Sequence, residues 1–183
     1  MKLISQLTYQ NMKVLTVVCV ILFSSSVTFA QSPEEKLKEL GIELFIPPKP
    51  IANYVKAVRT GNLVFLAGHG PGKADGTNIK GRLGDDLTIE QGYEAARVSA
   101  IAMLSSLKAE IGDLNKVSRI VKVTGMVNST ANFYDQPKVI NGCSDLLVEV
   151  FGEKGKHARA AVGMASLPSN IAVEIEMIVE VRD

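Results

Sequence analysis

The sequence holds only two histidines and two cysteines, and its acidic and basic residues almost cancel. Each scarcity closes off a class of function. His69 and His157 stand far apart with no Cys/His cluster at zinc spacing, so no structural metal is expected. Twenty Lys+Arg against 19 Asp+Glu leave a formal charge of +1, and no run of five or more basic residues occurs. Such a chain has no cationic excess to neutralise many phosphates, and nucleic acid is not an expected partner. Fifteen glycines and seven prolines follow no period in a chain that is 46% apolar, which excludes collagen-like and disordered classes. At 183 residues there is room for one ordinary domain and an appendage.

Residues 1–30 are that appendage. They carry Lys2 and Lys13, no acidic residue, an apolar run from Val14 to Phe23, then Ser24, Ser25 and Ser26 before Val27-Thr28-Phe29-Ala30. This is the layout of a secretory signal peptide cleaved after Ala30, with Met12 competing with Met1 as the start. The apolar run covers about 15 Å as a helix, half a hydrocarbon core, and is too short for a membrane span. An exported protein, periplasmic or secreted and free of the membrane after cleavage, is the expectation. Cys19 lacks the small residue before it that a lipoprotein site requires. Removing the two lysines leaves 18 basic against 19 acidic groups, a net charge of −1, and leaves Cys143 with no partner for an intramolecular disulfide.

Residues 31–49 read as a lead-in: a short helix opened by Pro33, then an extended stretch fixed by Pro47 and Pro48. The compact domain is expected over 50–183. Tyr54–Arg59 and Leu63–Gly68 flank Thr60-Gly61-Asn62 as a β-hairpin, and a glycine-rich polar loop follows over 69–86. Thr88-Ile89-Glu90-Gln91 is a capping box opening a helix over Ile89–Ile111, stopped by Gly112. A strand over Val117–Val127, a helix over Pro137–Phe151 and strands over Ala158–Met164 and Ala172–Val181 complete the chain. In the last strand Val173, Ile175, Met177, Val179 and Val181 alternate with Glu174, Glu176, Ile178 and Glu180. The expected fold is α+β: one mixed sheet with two helices on one face, the other face left for a partner subunit.

No Ser/His/Asp layout, Walker loop or dinucleotide-binding glycine motif is present; Gly68-His69-Gly70-Pro71 is a glycine turn whose histidine reads as a loop residue. What remains is Arg159 among alanines on a strand, where desolvating a guanidinium is costly unless it meets an anion. By spacing alone it pairs with a strand glutamate or grips a carboxylate ligand, while Glu174, one of three alternating glutamates, reads equally as part of a solvated face.

Arg159, Leu167-Pro168 and Glu174-Ile175-Glu176, with Gly61-Asn62 and Ala67-Gly68 upstream, resemble the Rid proteins. These are the reactive-intermediate deaminases, also called YjgF-type or endoribonuclease L-PSP-like, and the resemblance runs from about Pro50 to Val181 in a divergent form. It implies a chorismate-mutase-like fold, a homotrimer with clefts between subunits, and hydrolysis of enamines or imines of the 2-aminoacrylate type to 2-keto acids and ammonia without metal or organic cofactor. It implies further that Arg159 grips the substrate carboxylate and Glu174 orients or activates water. Tyr54, Gly68 and Asn141 would line the pocket. Ala161 stands where many members have cysteine and His69 where glutamine is usual, which leaves the substrate range open. A noncatalytic trimeric binder of small metabolites is the alternative, and an RNA-cleaving role, implied by the older family name, sits poorly with the charge. Export also sits awkwardly beside a chemistry whose imines arise in the cytosol.

Overall fold

The computed structural model describes residues 31–50 and 52–183, so the signal peptide expected over residues 1–30 lies outside the described residues. The compact unit runs from Gln31 to Asp183. Its elements in chain order are α1 (Pro33–Glu39), β1 (Ala57–Thr60), β2 (Leu63–His69), α2 (Ile89–Ile111), β3 (Val117–Asn128), α3 (Gln136–Phe151), β4 (Ala158–Met164) and β5 (Val173–Val181). The strands form one mixed sheet in the order β1-β2-β5-β3-β4, antiparallel throughout except for the β3–β4 pair. The expected α+β architecture is the observed one.

Strand β5 organises the sheet because it lies between β2 and β3 and alternates strictly. Val173, Ile175, Met177, Val179 and Val181 are all buried under the helices, together with Val64 and Leu66 of β2 and Ile120, Val123 and Val127 of β3. The opposite, open face bears Val58, Phe65, Lys122, Thr124, Glu176 and Ile178 around a shallow hollow of about 360 Å³. Val58 and Phe65 are 52% and 41% exposed, a large fraction for such side chains.

Both ends of α2 follow from its sequence. The Thr88 hydroxyl accepts from the Gln91 amide at 3.3 Å, the Gln91 side chain accepts from the Thr88 amide at 2.9 Å, and Gly112 closes the helix with φ +81°. Ala95, Ala96 and Ala100 are fully buried, which lets α2 approach α3 closely. At the closest point Gly142 of α3 lies against the Tyr93 carbonyl of α2, leaving no room for a Cβ. The lead-in joins the same body: Ser32 and Glu35 cap α1 reciprocally, and Leu37 is 3% exposed in the core.

The hairpin is shorter than the sequence suggests. Pairing with β2 begins at Ala57, opposite Leu66, and before it only the Lys56 carbonyl reaches β2, accepting from the Ala67 amide at 3.0 Å. Tyr54 therefore precedes β1 rather than belonging to it.

Replacing Gly142 by alanine drives a methyl into a backbone carbonyl that cannot swing aside. Gly142→Ala is expected to lower unfolding stability by about 3 kcal/mol. A urea midpoint equal to that of the wild type would show that the two helices do not approach this closely.

Candidate functional site

Arg159 is the second residue of the edge strand β4 and sits opposite Val123 in the parallel ladder. Val123 is buried beneath the helices, and Arg159 likewise turns toward α3. There Asn141 and Ser144, three residues apart on one helical face, receive it: Nη1 donates to Asn141 Oδ1 at 2.9 Å and to Ser144 Oγ at 3.0 Å. Both acceptors are neutral. Arg97 and Arg59 instead meet carboxylates, at Glu149 and Asp183, whereas Arg159 has no acidic partner among the described residues. The strand ion pair that spacing allowed is therefore not what forms.

Behind Ser144 stands His157, its Nε2 3.0 Å from Ser144 Oγ and its Nδ1 2.6 Å from the Gly155 carbonyl. A carbonyl only accepts, so Nδ1 carries the proton and Nε2 takes one from the serine hydroxyl. Burial holds His157 below its ordinary value of 6.5; the Gly155 carbonyl opposes that and the Arg159 charge reinforces it. The sequence gives little hint of this pair. Only the three-residue step from Asn141 to Ser144 could have pointed to the serine, and nothing local links either to His157.

On the open face lies a second group. Glu174 of β5 crosses Gly68 of β2 so closely that a Cβ at Gly68 would strike its carboxylate oxygen Oε1. Gly68 does not have a positive φ, so what a larger residue would disturb there is the placement of the Glu174 side chain and not the backbone. Burial pushes the Glu174 carboxyl above its ordinary 4.5, with Glu176 adding to the effect. Tyr54 is 49% exposed in the stretch before β1.

The five expected site residues thus fall into separate places. Arg159 and Asn141 meet on the helix side of β4, Glu174 and Gly68 meet on the open face, and Tyr54 stands free. One chain does not bring Arg159 to Glu174: β4 and β5 flank β3 on opposite sides, about 10 Å apart at ordinary strand spacing, and the two side chains leave opposite faces.

Two other polar groups are accounted for. His69 is not a loop residue but ends β2, 4% exposed, with Nδ1 2.6 Å from the Ala67 carbonyl and Nε2 2.7 Å from Ser106 Oγ. Cys143 is fully buried and its thiol is pushed up to about 12, so it is no nucleophile near neutrality.

A family model described as "YjgF/chorismate mutase-like, putative endoribonuclease" matches residues 34–181. Protein TCP17 of Trypanosoma cruzi is 43% identical over 148 residues, covering 80% of this chain and 92% of that protein. A 2-iminobutanoate/2-iminopropanoate deaminase of Dermatophagoides farinae is 33% identical over 138 residues, covering 75% and 92%. Among solved structures, the Agrobacterium tumefaciens protein Atu1372, of unknown function, superposes with a TM-score of 0.76 at 43% identity, covering 82% of this chain and 94% of that one.

Burial holds the His69 ring below its ordinary 6.5, the Ala67 carbonyl opposes the shift and the Lys56 charge adds to it, so the folded protein prefers this imidazole neutral. The unfolded chain then binds the extra proton first. The stability this preference contributes is complete above about pH 6.5 and is lost as pH falls through the lower, folded value. Urea midpoints between pH 7.5 and 5 are expected to fall less steeply in His69→Gln than in the wild type. Parallel slopes would refute the assignment.

Proposed function

The chain belongs to the YjgF/chorismate-mutase-like family, and on that premise we propose that it is an enamine/imine deaminase acting on small imines that carry a carboxylate. The observation that carries this reading is the Arg159 guanidinium, fixed by two neutral oxygens with its charge uncompensated. A planar fork held in that state suits a carboxylate, whose two oxygens match two parallel N–H groups.

The chemistry asks little more. An enamine such as 2-aminoacrylate tautomerises to 2-iminopropanoate, water adds across the C=N bond to give a carbinolamine, and ammonia leaves as the C=O bond forms. One imine and one water become one 2-keto acid and one ammonia. Arg159 holds the carboxylate and so orients the C=N carbon. Glu174, its proton affinity raised by burial and by Glu176, removes a proton from the attacking water and returns one to the departing nitrogen.

Because Arg159 and Glu174 leave opposite faces of one sheet, the reading places the cleft between two copies. The β4 edge of one copy supplies Arg159 and Asn141, and the open face of its neighbour supplies Glu174 and Gly68, with Tyr54 at the rim. The half-exposed Val58 and Phe65 on that face support a neighbouring copy, since apolar side chains gathered around one hollow gain from being covered. A homotrimer is the closed arrangement proposed.

Arg159→Ala is expected to abolish ammonia release from freshly generated 2-iminopropanoate and to weaken pyruvate binding. Glu174→Gln is expected to lower kcat by about 10²–10³ while leaving pyruvate affinity within about twofold. Full turnover in Glu174→Gln would mean that the glutamate belongs to the sheet face alone; absence of turnover in the wild type, with pyruvate binding retained, would leave a metabolite binder.

The raised proton affinity of Glu174 also sets the acid limb of the rate profile. As base it works ionised, so kcat/KM should fall as pH drops through a value above 4.5. A limb at or below 4.5 in the wild type would exclude this glutamate as the base.

A further inference from the structure

Arg159 is exposed on an edge strand, and its long side chain has much rotamer freedom to lose. Both protons of its Nη1 have acceptors on the rigid helix α3, in Asn141 and Ser144. The serine is a conditional acceptor, because a helical hydroxyl rotates and commonly gives its proton to the carbonyl one turn back. Here the proton has another destination. The Gly155 carbonyl fixes the His157 proton on Nδ1, which leaves Nε2 bare at 3.0 Å from Ser144 Oγ. The hydroxyl proton goes to the imidazole, and the oxygen lone pairs are left facing the guanidinium. Neutral His157 is the state its burial and the neighbouring Arg159 charge favour.

We propose that Ser144 and His157 are positioning residues that lock Arg159 for a side-on grip of the substrate carboxylate. This rests on the reading of Arg159 as the carboxylate anchor. With Nη1 committed to α3, the donors without a protein acceptor among the described residues are Nε and Nη2. They lie along one edge of the guanidinium plane and match the two oxygens of a carboxylate. The end-on approach through Nη1 and Nη2 is closed, since it needs a proton that α3 already holds.

His69 provides an internal comparison. It repeats the arrangement, with Nδ1 on the carbonyl two residues back and Nε2 on a helix serine, Ser106. There the chain stops, with no arginine on Ser106 among the described residues. A histidine and serine so arranged anchor a strand end to a helix; only at His157 does the same pair reach a cation.

The test measures pyruvate dissociation constants by NMR titration, and kcat and KM for imine hydrolysis, on the wild type and on Arg159→Ala, Ser144→Ala, Ser144→Thr, His157→Ala and His157→Gln. Loss of one hydrogen bond that holds the anchor is expected to cost about tenfold in affinity. Ser144→Ala and His157→Ala should each weaken pyruvate by about that factor and raise KM alike, with kcat within about twofold, because the grip acts equally on ground and transition states. Ser144→Thr should restore affinity, since it keeps the hydroxyl. The Nε2 nitrogen resonance of His157 should move in Ser144→Ala and not in Ser144→Thr. His157→Gln keeps much of the bulk of the ring and an amide oxygen able to accept the Ser144 proton, so it should fold and bind pyruvate more tightly than His157→Ala.

If Arg159→Ala loses pyruvate while Ser144→Ala, or a folded His157→Ala, binds it as the wild type does, the positioning role is overturned and the anchor stands. If Arg159→Ala binds pyruvate normally, the anchor reading itself fails. A fall in kcat with KM unchanged in Ser144→Ala would also overturn the proposal.

Discussion

Strand β5 has two sides of different chemistry, and most of the molecule follows from that division. One side presents five apolar residues, every one of them buried, to helices α2 and α3. The other presents glutamates and one isoleucine to an open face. A one-residue slip in register would exchange the two sets, placing carboxylates in the core and aliphatic groups in water, so the burial of the apolar row fixes the position of every carboxylate. Glu174 lies against Gly68 because Ile175 has to be inside. Arg159 is assigned to the helix side by the same logic, two strands further out, through its pairing with Val123 of β3. The separation of arginine and glutamate onto opposite faces is therefore a consequence of core formation, and any chemistry that uses both must draw them from different copies.

Much of this was legible in the sequence where the signal was local. The capping box at Thr88 to Gln91, the terminating Gly112 and the alternation from Val173 to Val181 each state their element in a handful of adjacent residues, and the structure follows them closely. The start of β1 was less legible, because the apolar-rich run opens at Tyr54 while pairing begins only at Ala57, and no turn residue marks the point between them. Arg159 stood out for its apolar setting, and its need for a partner could be argued from desolvation. The identity of that partner could not, because Asn141 and Ser144 lie 18 and 15 residues away on a helix whose rotation the sequence does not specify. His69 was misread for a related reason. The glycines around it mark a turn, yet the backbone turns only after the ring has been buried against Ser106.

The two histidines show how little chemistry a hydrogen-bond pattern carries by itself. Each donates from Nδ1 to a carbonyl two residues back and accepts at Nε2 from a helix serine, and each is kept neutral chiefly by burial. One such unit pins the end of β2 to α2. The other holds a cation at a sheet edge. The difference is the residue that follows in space, an arginine in one case and none in the other. A pattern found twice in one chain is evidence for a stable local geometry, and function enters only through what that geometry is attached to.

Cys143 sits fully enclosed on α3, with burial holding its sulfur in the protonated form. Oxidants attack the thiolate far faster than the thiol and need a path to reach it; this sulfur offers neither. Peroxide, glutathione disulfide or a roaming disulfide oxidase would find nothing to act upon at this position while the fold holds. The sulfur is thus inert filling, its chemical state set by packing and not by the redox poise outside.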